Sequence, residues 1–541
     1  MSRRSLAIVV VVQFAALVAA CVLIGDNGWD DGAITLAFAR TFARHGRVAL
    51  TPHSEIVEGF SSVFWFLLNA AAALARPSYQ AAILVSQILS ALCICASTVL
   101  LARTCALLRL DGWIATLTVV TFAAWGCSFS EASNGMEMGL LAAAFLMMVN
   151  ELLSPRPRLL PLGLGVVLAV STRFEAVFYV GLLALAVMSI PGRRAFWAIV
   201  ATCVGAVVLL TAWRHAVFAD VLPNTFWAKR WPPYASFDLA GRLRGVVELP
   251  SLLLAPLVAL VVLRRSGFDL AGVVKARRRA FLILAYPILG AVLLGGLLGK
   301  AWGYYGRMPY FAFPLALLAL SLFFSAWVDA RPGAFRITAR RRVIGLYVVS
   351  IGLSVIGFPR GPLGAALRGG TFGVSPHTYA ESAQVFRRFV AAADLRNPTI
   401  FTPDVGGLAL CCDEFKVVDL ALLSNRTLAH RGHAALAEIL ETESPALVEA
   451  HWNWATAGKL YDIPRFRALY VPAFAGGTKL WLRGDVAAAI QGKGRGCRLS
   501  TARADVREAL RTHRYANHDV QEDRTAFEAP GVVFALAPCR F

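Results

Sequence analysis

Long apolar runs separated by short polar segments occupy the first two thirds of the chain. An α-helix needs about 20 apolar residues to cross a bilayer, and runs of that order lie at 5–24, 80–102, 113–130, 136–152, 196–217, 247–264, 280–299, 308–328 and 342–358. A further apolar stretch, 159–190, carries Arg173 and Glu175 near its middle, where charge in hydrocarbon would be costly. We therefore predict that two short helices meet at this pair, and that about eleven crossings form a mostly α-helical bundle.

Basic residues between the apolar runs predict the orientation of the bundle. Arg3 and Arg4 precede the first run, and arginine clusters lie at 156–158, 193–194, 264–265, 277–279 and 340–342. Because such loops stay in the cytoplasm, we expect a cytoplasmic N-terminus and a C-terminus outside. The same rule makes the apolar stretch 61–75 an interfacial helix on the outer surface, since a further crossing there would reverse every later loop.

A competing interpretation exists for the N-terminus. Arg3-Arg4, an apolar run and Val18-Ala19-Ala20-Cys21 resemble a lipoprotein signal that ends at a lipidated cysteine. Cleavage there would remove the first span.

The C-terminal third has the pattern of a folded soluble domain. Beyond about residue 359 the long apolar runs stop, the segment 376–395 is typical of a helix, and 398–404, 415–423, 444–452 and 478–484 are typical of strands. We predict a transmembrane domain over 1–358, with a first outer loop at 26–79 that holds two surface helices, and an extracytoplasmic α/β domain over 359–541.

Four cysteines lie in the predicted outer domain: Cys411, Cys412, Cys497 and Cys539. Disulfides form in exported domains, and a Cys497–Cys539 bridge is our first choice. The vicinal pair could instead bind a metal ion, but no histidine and cysteine spacing of a structural zinc site accompanies it.

Composition supports a membrane protein and excludes a soluble one. Of the 541 residues, 57% are hydrophobic and only 16% are charged. The formal net charge of +20 could suggest a nucleic-acid partner, but the basic residues sit between apolar runs and no nucleic-acid motif accompanies them. We therefore attribute the charge to membrane topology.

Charged side chains collect in the segments predicted to lie outside. These are Asp30, Asp31, Glu58, Glu131, Arg173, Glu175, Lys229, Arg230, Lys300 and Arg307. Carboxylates beside a membrane span either cap a helix or line a polar cavity. Both readings apply to Asp30 and Asp31, which directly precede the helix predicted to begin near Gly32.

Several of these motifs together resemble one family. The run DDGAITLAFARTFARHGRVAL with Val57-Glu58-Gly59-Phe60 resembles the GT-C fold of glycosyltransferases that use polyprenyl-phosphate sugars, and most closely the arabinofuranosyltransferase B type. Further matches are Gly135-Met136-Glu137, Arg173-Phe174-Glu175, the segment Leu222 to Lys229 (LPNTFWAK), Arg307, Asp404 to Gly407 (DVGG) and Val418-Asp419-Leu420. One departure is Gly299-Lys300-Ala301-Trp302-Gly303, where many relatives carry an acid.

The resemblance implies an enzyme of the plasma membrane. Its fold would be a GT-C-like bundle with outer-surface juxtamembrane helices. It would move a sugar, for example a pentose such as arabinofuranose, from a polyprenyl-phosphate donor to an envelope glycan or lipid acceptor on the outer face. Its partners would be the donor, the acceptor and the bilayer, and no nucleic acid.

Roles for the candidate residues follow from the resemblance and from the chemistry of transfer. A base must deprotonate the acceptor hydroxyl, and cations must stabilise the departing phosphate. We expect Asp30 as the base with Asp31 in support, and Lys229, Arg230 and Arg307 as phosphate ligands. Further substrate contacts are expected from Arg173, Glu175, Glu58, Glu137 and Asn224.

Several of these residues also have a structural explanation as an alternative to a functional role. Arg230 and Lys300 could extend to lipid headgroups, Arg173 and Glu175 could form a structural ion pair, and Glu58 and Glu137 could hold the surface helices in place. We predict no obligatory metal or other cofactor, since two acids alone would make a weak Mg²⁺ or Mn²⁺ site. A flippase for a lipid-linked sugar, or a non-catalytic partner in envelope assembly, are the alternative functions.

Overall fold

A computed structural model describes residues 1–23, 31–189, 193–232, 234, 239–265, 267–298, 307–355, 380, 383–449, 452–475, 478–492, 498–500 and 535–537. Within these ranges the chain is mainly α-helical. Five described helices are long and apolar enough to cross a membrane, or six if one bent pair counts as a single span. The chain is therefore a membrane protein, as its hydropathy predicts.

Helices of the bundle follow the apolar runs closely. They are α1 (Arg3–Leu23), α2 (Asp31–His45), α3 (Val63–Ala73), α4 (Tyr79–Leu107), α5 (Gly112–Ala123), α6 (Gly126–Asn134), α7 (Met138–Leu153), α8 (Leu159–Thr172), α9 (Ala176–Met188), α10 (Arg193–Phe218), α11 (Asn224–Ala228), α12 (Leu239–Leu252), α13 (Leu254–Arg265), α14 (Leu270–Ala276), α15 (Arg278–Leu298), α16 (Ala312–Asp329) and α17 (Gly333–Val355). One hydrophobic core joins α1, α4 to α10 and α12 to α17.

Two predicted spans are not single straight helices. The run 113–130 is bent by 42° between α5 and α6. The run 247–264 is divided between α12 and α13 at Leu253. Pro256 has no backbone N–H to donate to Leu252, so a continuous helix would lose a hydrogen bond at this point.

The predicted helix pair at Arg173 and Glu175 is confirmed. Helix α8 ends at Thr172 and α9 begins at Ala176, so both charged residues lie between the two helices. At a rise of about 1.5 Å per residue, each helix is only about 20 Å long. Neither charged side chain therefore lies within a helix.

Helix α3 is too short to be a span. Its 11 residues extend over about 16 Å, roughly half of the hydrocarbon thickness of a bilayer. One face, with Trp65 and Phe66, is buried against the protein, while Leu67 is exposed. The Ser62 side chain caps its first turn by accepting a hydrogen bond from the Trp65 N–H. This geometry agrees with a surface helix.

All seven named strands lie in the C-terminal third and form one sheet of order β2-β1-β3-β5-β4-β7-β6. They are β1 (Thr399–Thr402), β2 (Lys416–Asp419), β3 (Leu447–Val448), β4 (Tyr470–Ala475), β5 (Thr478–Arg483), β6 (Arg498–Ser500) and β7 (Ala535–Ala537). Strands β1, β2 and β3 are parallel, whereas β5 is antiparallel to β3 and β4. The four predicted strand segments are confirmed; β4, β6 and β7 were not among them.

Short helices accompany the sheet. They are α18 (Gln384–Ala393), α19 (Val405–Cys411), α20 (Arg426–Arg431), α21 (Leu436–Glu443), α22 (Trp452–Ala457), α23 (Pro464–Leu469) and α24 (Gly484–Gly492). Helix α18 lies within the helix predicted at 376–395 and occupies residues 384–393 of it. A disulfide joins Cys411 to Cys412 at the end of α19. Cys497, Cys539 and the predicted domain boundary between residues 358 and 359 lie outside the described residues.

The first loop and the sheet share one hydrophobic core. Phe38 of α2 and Phe60 belong to the same buried cluster as Phe401 of β1 and Val418 of β2. Hydrogen bonds add to this packing, since Ser54 Oγ donates to the Val417 carbonyl at 3.1 Å and accepts from the Val417 N–H at 3.0 Å. The sheet is thereby fastened over the end of the bundle where α2 begins.

Candidate functional site

The turn between α6 and α7 supports the start of α2. Gly135 ends α6 in the left-handed conformation, at φ 62°, and its carbonyl accepts from Trp65 Nε1 at 3.0 Å and from Ser86 Oγ at 2.9 Å. Gly32 packs on this turn so closely that an added Cβ would lie 2.1 Å from the Asn134 carbonyl oxygen. Only glycine fits there, and Asp31 is held beside the turn.

Asp31 and Arg307 form an ion pair across the chain. Arg307 Nη1 lies 2.5 Å from Asp31 Oδ2, with the arginine side chain 8% exposed and the carboxylate 39% exposed. Burial disfavours the charged carboxylate, but the Arg307 guanidinium, with Lys229 and Arg173 beyond it, outweighs this effect and lowers the pKa of Asp31 below its usual range. Asp31 is therefore ionised at neutral pH and fixes the position of Arg307.

Arg173 is the centre of a second, buried ion-pair group. Its Nη1 lies 2.9 Å from Glu137 Oε1, and its Nε donates to Glu175 Oε1 at 2.8 Å. Burial would raise the pKa of Glu175, but Arg173 and, more weakly, Lys229 lower it below the usual range. The structural ion pair considered for Arg173 and Glu175 is present, and Glu137 is its third member.

Lys229 follows α11 and faces the same charges. Its side chain is exposed to solvent. The surrounding protein and the positive charge of Arg173 lower the pKa of Lys229 below the usual range, with Arg307 adding to the effect and Glu175 and Asp31 opposing it. The Lys229 backbone N–H donates to the Thr225 carbonyl at 3.3 Å, but its ammonium group makes no hydrogen bond or ion pair to another described residue. The cluster thus holds an accessible ammonium group in a position suited to an anionic ligand.

Two of the predicted substrate ligands lie elsewhere. Asn224 is buried, and its amide donates to the carbonyls of Leu423 at 2.7 Å and Asn425 at 3.3 Å, so its contacts fasten α11 to the sheet region. Arg230 is exposed, with its guanidinium carbon 5.3 Å from the centre of the Trp227 ring. Neither residue takes part in the contacts around Asp31.

Glu58 pairs with an arginine that the sequence pattern did not single out. Arg214 Nε lies 2.6 Å and its Nη2 3.0 Å from the two Glu58 oxygens, and both side chains are buried. The Arg214 guanidinium also lies over the Phe174 ring, at 5.7 Å from its centre. The contacts give Glu58 the structural role of holding the loop to α10. An arginine within the apolar run 196–217 was the signal for such a partner.

Glu131 does not face a loop as predicted. It lies within α6, is fully buried, and accepts the Met138 N–H at 2.5 Å. This bond satisfies one of the free N–H groups at the start of α7.

The carboxyl ends of β1 and β2 lie on the same side as the charge cluster. Asp419 ends β2, is fully buried, and accepts hydrogen bonds within its own turn, from Ala421 at 2.7 Å and Ser424 at 2.9 Å. Tyr234 donates to the Ala421 carbonyl at 3.0 Å. Burial raises the pKa of Tyr234, and the negative charges of Asp419, Asp31 and Asp404 raise it further. Tyr234 is therefore within electrostatic reach of both the sheet edge and Asp31.

The remaining candidate residues lie outside the described residues or make contacts within the protein. Asp30 and Lys300 lie outside the described residues. Trp65 is buried, and its ring N–H donates to the Gly135 carbonyl, so its ring is not available to stack on a sugar. In the described part of the chain, no group of three or more histidine, cysteine or acidic side chains is arranged to hold a metal ion.

No known protein-family model matches this chain, and no curated protein sequence is significantly similar to it.

Proposed function

We propose that the protein is a GT-C-type membrane glycosyltransferase that moves a sugar from a polyprenyl-phosphate donor to an envelope glycan or lipid acceptor. The observation that carries this proposal is the exposed ammonium group of Lys229, which makes no ion pair with another described residue, beside the Asp31–Arg307 pair. A donor phosphate would bind Lys229 and Arg307 at the membrane boundary, where a prenyl chain can remain in lipid. A pentose such as arabinofuranose is our choice of sugar.

The proposed topology has about eleven crossings, a cytoplasmic N-terminus and the sheet on the outer side of the plasma membrane. In this arrangement α8 and α9 form a hairpin whose turn, with Arg173 and Glu175, opens to the outside. Helices α2 and α3 lie on the outer surface, and residues 359–541 form the extracytoplasmic domain. The arginine clusters at 193–194 and 340–342 then both face the cytoplasm.

On the donor side, positive charge would be used when the phosphate departs. The bond between the anomeric carbon and the phosphate oxygen breaks, and the polyprenyl phosphate leaves with one more negative charge. Lys229 and Arg307 would stabilise that charge, and Asp31 would keep Arg307 in place. Arg173, neutralised by Glu137 and Glu175, would act as a rigid support for the cluster rather than as a ligand.

On the acceptor side, a carboxylate must take the proton of the attacking hydroxyl as its oxygen bonds to the anomeric carbon. We assign this step to Asp30, because Asp31 is committed to Arg307 and has a lowered pKa. The acceptor would lie between Asp31 and the sheet edge near Asp404. Tyr234 and Trp454, whose ring centres are 5.1 Å apart, offer aromatic surface for a sugar there.

The central test removes the two acids separately and together. Asp30→Asn is expected to lower transfer by about 10²-fold, as loss of a general base does, and Asp31→Asn to weaken donor use by releasing Arg307. Envelope glycans and the accumulated lipid-linked donor would be measured in cells that carry each variant. A full level of glycan in the double variant would contradict the transferase and favour an assembly role. Donor trapped on the cytoplasmic face would favour a flippase.

A pH profile tests the role of Lys229. Because its pKa is lowered, Lys229 loses its proton as the pH rises at values below the usual lysine pKa of about 10.4. We expect kcat/KM to fall on the alkaline side, and the Lys229→Arg variant to keep its activity to higher pH, since an arginine stays protonated. If both proteins lose activity at the same pH, Lys229 does not bind the donor phosphate.

A further inference from the structure

A second basic recess lies away from the charge cluster, between α2 and α19. A narrow cavity, open to solvent on one side, is lined by Ala37, Arg40, Thr41, Arg44 and His45 of α2 and by Ala409 and Asp413 near the end of α19. The α2 residues are spaced by three and four, which places them on one helical face. None of them takes part in the proposed transfer of the sugar.

Each arginine uses only some of the nitrogens of its guanidinium group in hydrogen bonds to the protein. Arg40 Nη1 donates to the Leu410 carbonyl, and Arg44 Nη2 donates to the Pro77 carbonyl at 3.0 Å. The Nε atoms of Arg40 and Arg44 are buried and have no hydrogen-bond acceptor among the described residues. Two buried N–H donors without a protein acceptor, on two cations that line one cavity, suit an oxygen-rich anion.

The charge of the recess is not balanced by the protein. Its one lining carboxylate, Asp413, is 46% exposed and lies 3.6 Å from Arg44 Nη1, a separation at which an exposed pair contributes little. Burial and the charge of Arg44 lower the pKa of Arg40 to about 10, and Asp413 only partly opposes this. A bound anion would relieve the repulsion between the two guanidinium groups.

We propose that Arg40 and Arg44 bind the phosphate of a phosphate ester in this cavity. Planar guanidinium groups match phosphate oxygens with paired N–H donors. The contact between Arg44 and Pro77, two residues before the membrane helix α4 begins at Tyr79, places the recess near the level of lipid headgroups. The ester is therefore an anionic phospholipid or a soluble phosphate ester, and in either case it links α2 to the end of α19.

The test uses the full-length protein and thermal unfolding. In detergent, inorganic phosphate is titrated; in parallel, nanodiscs of phosphatidylglycerol are compared with nanodiscs of phosphatidylcholine. We expect phosphate or phosphatidylglycerol to raise the Tm of the wild type, and Arg40→Gln and Arg44→Gln to raise the phosphate concentration at half effect by at least about tenfold, the equivalent of one strong charged contact. Arg388→Gln, at an exposed arginine of α18, is the matched control and should respond as the wild type does.

Phosphate could also bind at the donor site, so a further variant separates the two. The response at the recess should persist in Lys229→Met, and its loss in that variant would assign it to the donor site and overturn the proposal. An equal response in Arg40→Gln and wild type, or none in wild type with either probe, would overturn it too. Arg40→Lys, which keeps the charge but loses the fork, should restore part of the response. A response to phosphatidylglycerol alone identifies a lipid, and one to inorganic phosphate alone identifies a soluble ester.

Discussion

Replacing Arg307 with methionine is expected to slow sugar transfer by about 10³-fold while the protein remains folded. The guanidinium is buried at the side of Asp31, where it would face the charge that develops on the leaving phosphate, and loss of one such donor costs about 10²–10³-fold in rate. The carboxylate left behind is 39% exposed and can be hydrated, so folding should survive. Single-turnover transfer from a synthetic polyprenyl-phosphate sugar measures the effect.

The control for this variant is Arg341→Met, at an exposed arginine of α17, which should leave the rate unchanged. Arg307→Lys should recover only part of the rate, because an ammonium group lacks the paired donors that span carboxylate and phosphate. If Arg307→Met lowers donor affinity but leaves the rate of the chemical step intact, the arginine serves binding alone. If it changes neither, the donor phosphate is bound elsewhere.

Replacing Arg173 with methionine is expected to lower the free energy of unfolding by about 3–5 kcal/mol. The variant removes the partner of Glu137, which is 3% exposed, and a buried charge that has lost its partner carries a penalty of this order. Glu175 would lose the same partner. Thermal and denaturant unfolding of the purified protein in detergent measure the change.

Two further variants separate the loss of a buried partner from the loss of any arginine. Arg431→Met breaks an ion pair with Glu438 whose two side chains are more than half exposed, and it should change stability by no more than about 1 kcal/mol. Adding Glu137→Gln to Arg173→Met should restore part of the loss, because the unpaired charge is then gone. Equal effects of Arg173→Met and Arg431→Met would show that solvent reaches the buried group.

Hydropathy predicted most of the helices, because burial in lipid places the same demand on every residue of a span. The charged pair Arg173 and Glu175 also predicted a turn inside an apolar run, since two charges are more costly in hydrocarbon than a break. Hydropathy did not predict the bend between α5 and α6 or the break at Leu253. These depend on local hydrogen bonding and packing, which an average over many residues does not record.

The charged candidates were visible in the sequence, but their partners were not. The sequence left open whether Glu58 contacts the substrate or holds the surface helices in place, and it did not identify Arg214 as the partner of Glu58. Asn224 was also expected to contact the substrate, whereas its amide donates hydrogen bonds to the carbonyls of Leu423 and Asn425. Side-chain partners lie far apart along the chain. Residue type alone does not distinguish a residue that binds substrate from one that makes a structural contact within the protein.

By itself the sequence determined that this is a membrane protein of mainly helical structure, that charge collects at Asp31, Arg173, Lys229 and Arg307, and that an α/β segment follows. Tertiary structure decided which of those charges neutralise one another. Asp31 pairs with Arg307, 276 residues away in the sequence, and Arg173 pairs with Glu137 and Glu175. The ammonium group of Lys229 makes no hydrogen bond or ion pair to another described residue. The physical reason is that hydropathy acts on each residue separately, whereas an ion pair depends on a distance that only the folded chain sets.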